Sequence, residues 1–171
     1  MPNLFDDEEE LFEGYTVNDV YNAFSFAETG GESNPWIRTR VSKAPGSSAF
    51  GPVQMNANLV DNVYKNKRDI YDAHSDWAQN LRARQALSLH FGKEPQKVGY
   101  DPMWEYGETG PNLTNIQKMQ YENFAKDIMY DMWQESKSRK NPVKNFIERW
   151  RRATEDEDPD YYKRFNTSLG R

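Results

Sequence analysis

One carboxylate in this sequence stands where its surroundings favour a retained proton. Glu28 closes a run that begins at Thr16, in which Val17, Val20, Tyr21 and Phe24 recur at i, i+3, i+4 and i+7. That spacing predicts an amphipathic helix. Thr16 offers an N-cap with Asp19 three residues on, an approximate capping box, and Gly30-Gly31 supplies the stop. Glu28 therefore falls at a helix C-terminus, where the partial negative charge of the macrodipole disfavours ionisation. Phe24, Phe26 and Trp36 are near in sequence and would add apolar surroundings, which raise a carboxyl pKa further. A carboxyl that stays protonated near neutral pH is a general acid, able to protonate a glycosidic oxygen as it leaves.

A second feature complements the first. The run Gly46 to Gln54 is built from small residues, Gly46, Ser47, Ser48, Ala49 and Gly51, and ends in Pro52-Val53-Gln54. Small side chains let backbone approach a sugar closely, and the amide of Gln54 would orient an N-acetyl group or the acid itself. Ser48 is the candidate direct contact in the loop. Polar anchors over an apolar floor are what a carbohydrate cleft requires. Five Trp, ten Tyr and nine Phe provide rings for stacking on sugars. Tyr100, Trp104 and Tyr106 lie in a long loop, where stacking on sugar and packing under the loop are both open.

The elements that must position these groups are mostly helices. After Glu28, the stretch Glu32 to Pro52 is broken by Pro35, Pro45, Gly46, Gly51 and Pro52, and Ile37, Thr39 and Val41 alternate with Arg38 and Arg40. This reads as a loop with a short strand or hairpin. Further helices are expected over about Gln54 to Lys65 and Arg68 to Phe91, the latter with Ile70, His74, Trp77 and Leu81 on one side. Thr114 caps a long helix bearing Tyr121, Phe124, Ile128 and Met132. Asn141-Pro142 and Asp158-Pro159 each pair a cap with proline at the first helical position, opening helices that carry Trp150 and Tyr161. The expected fold is mainly α (α+β, lysozyme-like): one helical domain over residues 15–171, with a small irregular or β-like insert beside the cleft. An acidic lead-in, residues 1–14, precedes it, with Phe5, Leu11 and Phe12 able to dock.

The segment Phe26 to Asn56 resembles the goose-type lysozyme and soluble lytic transglycosylase superfamily, especially its short bacteriophage members. In that family a helix ends in the catalytic glutamate, an Asn-Pro or Asp-Pro turn follows, and a loop closes on a Gly-Leu-Met-Gln-type motif. Glu28-Thr29, Asn34-Pro35 and Gly51-Pro52-Val53-Gln54 stand in those places here. Thr29 replaces the usual Ser, and two extra residues separate Glu28 from Pro35, which makes Glu32 a rival for the acid. The helical stop favours Glu28. Near the C-terminus, Tyr161-Tyr162-Lys163-Arg164-Phe165 resembles the family's helix whose tyrosine faces the cleft. Phe146 to Trp150 falls where an Ala-Tyr-Asn-Ala-Gly-type motif would be but has no Tyr-Asn pair.

The resemblance implies cleavage of the β-1,4 bond between N-acetylmuramic acid and N-acetylglucosamine in peptidoglycan. Glu28 is the implied catalytic residue, and Gln54, Ser48, Tyr161 and Trp150 the implied substrate-binding residues. Paired-carboxylate glycosidases need a second acid at a defined separation. Asp61, Asp101 and Glu105 are candidates that no motif marks, so a single acid/base assisted by the substrate's N-acetyl group fits better. The product is then either a water-hydrolysed end or a 1,6-anhydro end. The alternative is a non-catalytic virion structural or glycan-binding protein on the same fold.

Composition bounds the rest. With no cysteine among 171 residues, disulfides, thiolate catalysis and cysteine-held metal are excluded. His74 and His90 lack a second ligand pattern, so no metal or cofactor is expected. A formal charge of -5 argues against a general nucleic-acid binder, although Lys137 to Arg152 holds seven basic residues against one acidic. Those cations face an anionic wall polymer or simply solvent. Met1 to Glu13 carries six acidic residues and no basic one, unlike a secretory signal, and no apolar run approaches a membrane span. The expected setting is the host cytoplasm, followed by the cell wall after holin release or carriage on a phage particle. The acidic head would be a docking segment for virion proteins.

Overall fold

The computed structural model describes residues 5–31, 36, 51–75, 78, 105–107, 110–112 and 114–171. These form a mostly helical molecule with two small antiparallel hairpins. In chain order the elements are β1 (Glu10–Phe12), β2 (Tyr15–Thr16), α1 (Val17–Thr29), α2 (Ala57–Asn66), α3 (Arg68–Ala73), β3 (Glu105–Gly107), β4 (Gly110–Asn112), α4 (Asn115–Ser136), α5 (Pro142–Arg151) and α6 (Pro159–Ser168). Among the described residues no helix is long and apolar enough to cross a membrane.

Local chemistry sets most boundaries where the sequence places them. Thr16 and Asp19 form a reciprocal capping box at the start of α1, and Thr114 with Gln117 does the same for α4. Asp158 caps α6, with Pro159 in its first turn. The expected start of α2 at Gln54 is moved downstream. Gln54 has φ +52, outside helical space, and Asn56 instead caps the helix by accepting the Leu59 N–H at 2.8 Å. The hairpin expected over 37–41 and the helix beyond residue 78 lie outside the described residues.

The β1–β2 hairpin was not expected. Glu13 and Gly14, at φ +53 and +82, form its two-residue loop between paired Phe12 and Tyr15. Positive φ at both central positions matches the right-handed twist of a hairpin, and glycine at the second makes it cheap. Residues 5–14 of the acidic lead-in consequently pack on the helices. Phe12 is buried against Trp133 and Phe146, and Phe5 stacks on Tyr130 at 4.0 Å. Its acids find partners within the chain: Asp7 on buried Lys126 at 2.9 Å, Glu9 accepting from the Tyr130 hydroxyl, Glu13 on Arg171.

The core is centred on α1, which packs along α6 and against α4. Val20, Ala23, Phe24 and Ala27 on its inner face have no exposed surface. Phe24 sits among Phe146, Trp150 and Phe165, with ring centroids 4.6 to 5.4 Å away. The two alanines carry little bulk, so α6 approaches closely at the end of α1 where Glu28 lies. His74 is in this interior as well, its Nε2 2.6 Å from Asp127 and its ring beside Phe124.

Candidate active site

Glu28 is the last residue but one of α1. Gly30 ends the helix at φ +66, with its N–H on the Phe26 carbonyl at 2.8 Å. Gly31 follows at φ +84, where a Cβ would collide with the Phe26 ring. Two successive left-handed residues are needed there, and glycine supplies them without steric cost. Thr29 turns inward and returns its hydroxyl to the Ser25 carbonyl at 2.8 Å. The Arg164 guanidinium donates to the Ala27 carbonyl at 2.9 Å and so places positive charge at the helix terminus.

The Glu28 side chain is half-buried, and its Oε1 accepts the Tyr161 hydroxyl at 3.0 Å. Tyr161 itself is almost wholly buried. Loss of solvent dominates the electrostatics and pushes the Glu28 carboxyl up to about 7. The Tyr161 hydrogen bond and the charges of Arg151 and Arg164 pull it back, and Asp158 adds to the rise. At neutral pH the group is therefore present in both protonated and ionised forms, which is the balance an acid that later acts as a base requires. Burial also raises the Tyr161 phenol, with the Glu28 charge adding to the effect, so Tyr161 stays a donor.

The Gly51–Gln54 turn lies within the same region. Gly51 is at φ +82, and a Cβ on it would overlap the Tyr121 ring. Tyr121 fills the space that glycine leaves, and its phenol receives backbone hydrogen bonds from Val53 and Met55. Trp150 reaches the turn from α5, its indole N–H 3.3 Å from the Val53 carbonyl. The Glu28 charge is felt at Tyr121, and Trp36 packs edge-on against that ring at 5.1 Å. Tyr121 and Trp150 thus tie the turn to the helices that frame Glu28. No known protein family, no characterised relative and no solved structure matches the chain.

The sequence-predicted residues fare unequally. Glu28 and Tyr161 meet directly. Gln54 is on the turn, half-buried, with its Nε2 2.8 Å from the Gly51 carbonyl, so that the amide closes its own turn. Trp150 is 8% exposed and supports the turn from beneath. Ser48, Glu32, Asn34, Pro35 and Asp101, with His90, Tyr100 and Trp104, lie outside the described residues. Asp61 is ion-paired with Lys65 along α2 at 2.9 Å. The carboxylate whose charge does reach Glu28 is Asp158. Of the expected apolar neighbours, Phe24 faces the core and Trp36 reaches the site through Tyr121. Tyr121, Arg151, Asp158 and Arg164 are site residues that the sequence reading missed. Asp158 carried a signal, its place before Pro159, but a helix cap and a site residue look alike in sequence. Among the described residues, no three His, Asp or Glu side chains cluster as a metal site.

Proposed function

We propose that this chain cleaves peptidoglycan glycan strands at the N-acetylmuramic acid–N-acetylglucosamine β-1,4 bond, with Glu28 as acid and then base on a lysozyme-like helical fold. The observation that carries the reading is the 3.0 Å bond from Tyr161 to Glu28. It joins two segments, 133 residues apart, that the family resemblance picks out separately, and it does so at a sheltered carboxyl poised near neutrality.

Tyr161 occupies Oε1, which directs the transferable proton to Oε2. Protonated Glu28 gives that proton to the leaving glycosidic oxygen. The substrate's N-acetyl carbonyl stabilises the cation that develops at the sugar carbon, so a second protein carboxylate is not required. The ionised carboxylate then takes a proton from the attacking group. Attack by the muramyl 6-hydroxyl gives a 1,6-anhydro end, the outcome we favour; attack by water gives a reducing end. The biological setting we propose is bacteriophage lysis or genome delivery, with peptidoglycan as the partner.

Glu28→Gln preserves shape and removes the ionisable proton, so it separates chemistry from binding. Purified protein should clear cell-wall suspensions and the variant should not, while both sediment with walls. Wild-type protein that binds walls without clearing them would favour a non-catalytic glycan-binding protein. Mass spectrometry of the released muropeptides distinguishes anhydro from reducing ends.

A further inference from the structure

The C-terminal end of α5 and the start of α6 meet beside Glu28 in an arrangement that the acid itself does not require. The two oxygens of Asp158 do different work. Oδ1 accepts the backbone N–H of Tyr161 at 3.4 Å and so caps α6 at the residue that touches Glu28. Oδ2 holds the Arg151 Nε at 3.0 Å. The Arg151 guanidinium in turn lies over the Tyr161 ring, 5.1 Å from its centroid. Tyr161 is therefore gripped twice, by its backbone and by its ring face, and its hydroxyl remains on Glu28.

We propose that the Arg151–Asp158 ion pair is a positioning unit that fixes the Tyr161 phenol against Glu28 and, through the charge of each partner, tunes the pH range in which that carboxyl acts. Among the described residues, the groups facing Glu28 are Tyr161 and Arg164 from α6, Asp158 from its cap, Arg151 from α5 and Tyr121 from α4. Tyr161 and Tyr121 stay neutral through the working range, because burial raises both phenols. Arg164 is held on the Ala27 carbonyl. The two members of the pair are charges that act on Glu28 in opposite directions. Arg151 favours the ionised carboxylate and Asp158 disfavours it.

The test is a direct titration of the Glu28 side-chain carbon by NMR, with the resonance assigned by its absence in Glu28→Gln. Arg151→Met keeps an apolar stem over the ring and removes the charge, and it should move the midpoint up by about half a pH unit. Asp158→Asn keeps a capping oxygen and should move the midpoint down by a similar amount. Arg151→Lys retains charge and should stay nearer the wild type than Arg151→Met does. Midpoints unchanged in folded Arg151→Met and Asp158→Asn proteins would overturn the proposal. Shifts of the same sign in both would overturn the tuning by charge, since upward movement in both is what a phenol merely set loose from Glu28 would give. If Arg151→Met does not fold, Arg151→Lys and Asp158→Asn decide the question between them. The alkaline limb of wall clearing should follow these midpoints; that arm alone rests on the peptidoglycan reading. Loss of clearing activity in the wild type, with the titration shifts intact, would remove the enzyme and leave the positioning unit.

Discussion

Glu28 and Glu135 are the same side chain in opposite electrostatic circumstances. Glu135, near the end of α4, faces a cavity of about 270 Å³ floored by Leu59, Val63, Ile70, Ile128 and Met132. There Lys67 lies 2.6 Å from Glu135 and 3.2 Å from Asp131, and Arg149 lies 2.8 Å from Glu135. Those cations hold the Glu135 carboxyl below its usual range. Glu28 is sheltered from water and receives a phenol on Oε1, and its carboxyl rises to about 7. An exposed carboxylate braced by two cations stays ionised and serves structure. Burial compensated by a neutral donor and by arginines committed elsewhere makes a group that exchanges its proton at working pH.

The comparison can be broken most decisively at the acid. Glu28→Gln should lower wall-clearing rate by about a thousandfold or more, whereas Glu135→Gln should leave it within about twofold. Equal losses from the two substitutions in a timed turbidity assay would erase the distinction. Gly51→Ala should be the most damaging to stability, because it combines a strained φ with overlap of the Tyr121 ring. A loss of about 2 to 4 kcal/mol, read from denaturant midpoints, is expected. Gly14→Ala, where nothing lies near the added Cβ, isolates the backbone cost and should lose less.

The pH dependence of stability sharpens the same contrast, because the two glutamates carry opposite signs. Glu28 has a folded pKa raised above its unfolded value of 4.5. Its favourable contribution is complete below 4.5 and is lost as pH rises through about 7. At most about 3 kcal/mol is involved. Glu28→Gln should therefore melt higher than wild type at pH 8, with the difference closing toward pH 4.5. Glu135 has a lowered folded pKa, so its contribution is present above the unfolded value and lost as pH falls through the folded one. Glu135→Gln should destabilise at neutral pH by under about 1 kcal/mol, since that pair network is substantially exposed. Tyr161→Phe is the finest probe. It removes the hydrogen bond that favours the ionised acid, so the Glu28 midpoint should move above its wild-type value and the alkaline limb of activity with it. A downward shift would mean that the phenol is not the group holding Oε1.

Three helix starts were legible because each is written in three or four adjacent residues, whereas Asn141, the expected cap of α5, sits at φ +52 without a side-chain cap bond. Thr16 with Asp19, Thr114 with Gln117, and Asp158 with Pro159 satisfy backbone groups locally, so their chemistry needs no distant partner. The stop after Glu28 is equally local, at Gly30 and Gly31. The Glu13-Gly14 hairpin was local too, but an isolated Glu-Gly pair amid acidic residues is a weak turn signal, and tertiary burial of Phe12 gives it its purpose. The candidate acid was marked by helix position and motif, and of the causes expected for its raised pKa the loss of solvent is the one that acts. Desolvation leads, and Phe24, expected beside the carboxyl, turns its ring to the core.

By itself the sequence determined the caps, the helical faces and the two residues, Glu28 and Tyr161, that mark the candidate chemistry. Only the tertiary structure decided that they touch, that Trp150 and Tyr121 brace the Gly51–Gln54 turn, and that Arg151 and Asp158 clasp the tyrosine. The reason is the range of the forces. A cap or a glycine stop is settled within one helical turn, whereas the proton affinity of a carboxyl depends on every group that excludes water from it or brings charge near it. Those groups arrive from α1, α4, α5 and α6, and their meeting exists only once the core between them has closed.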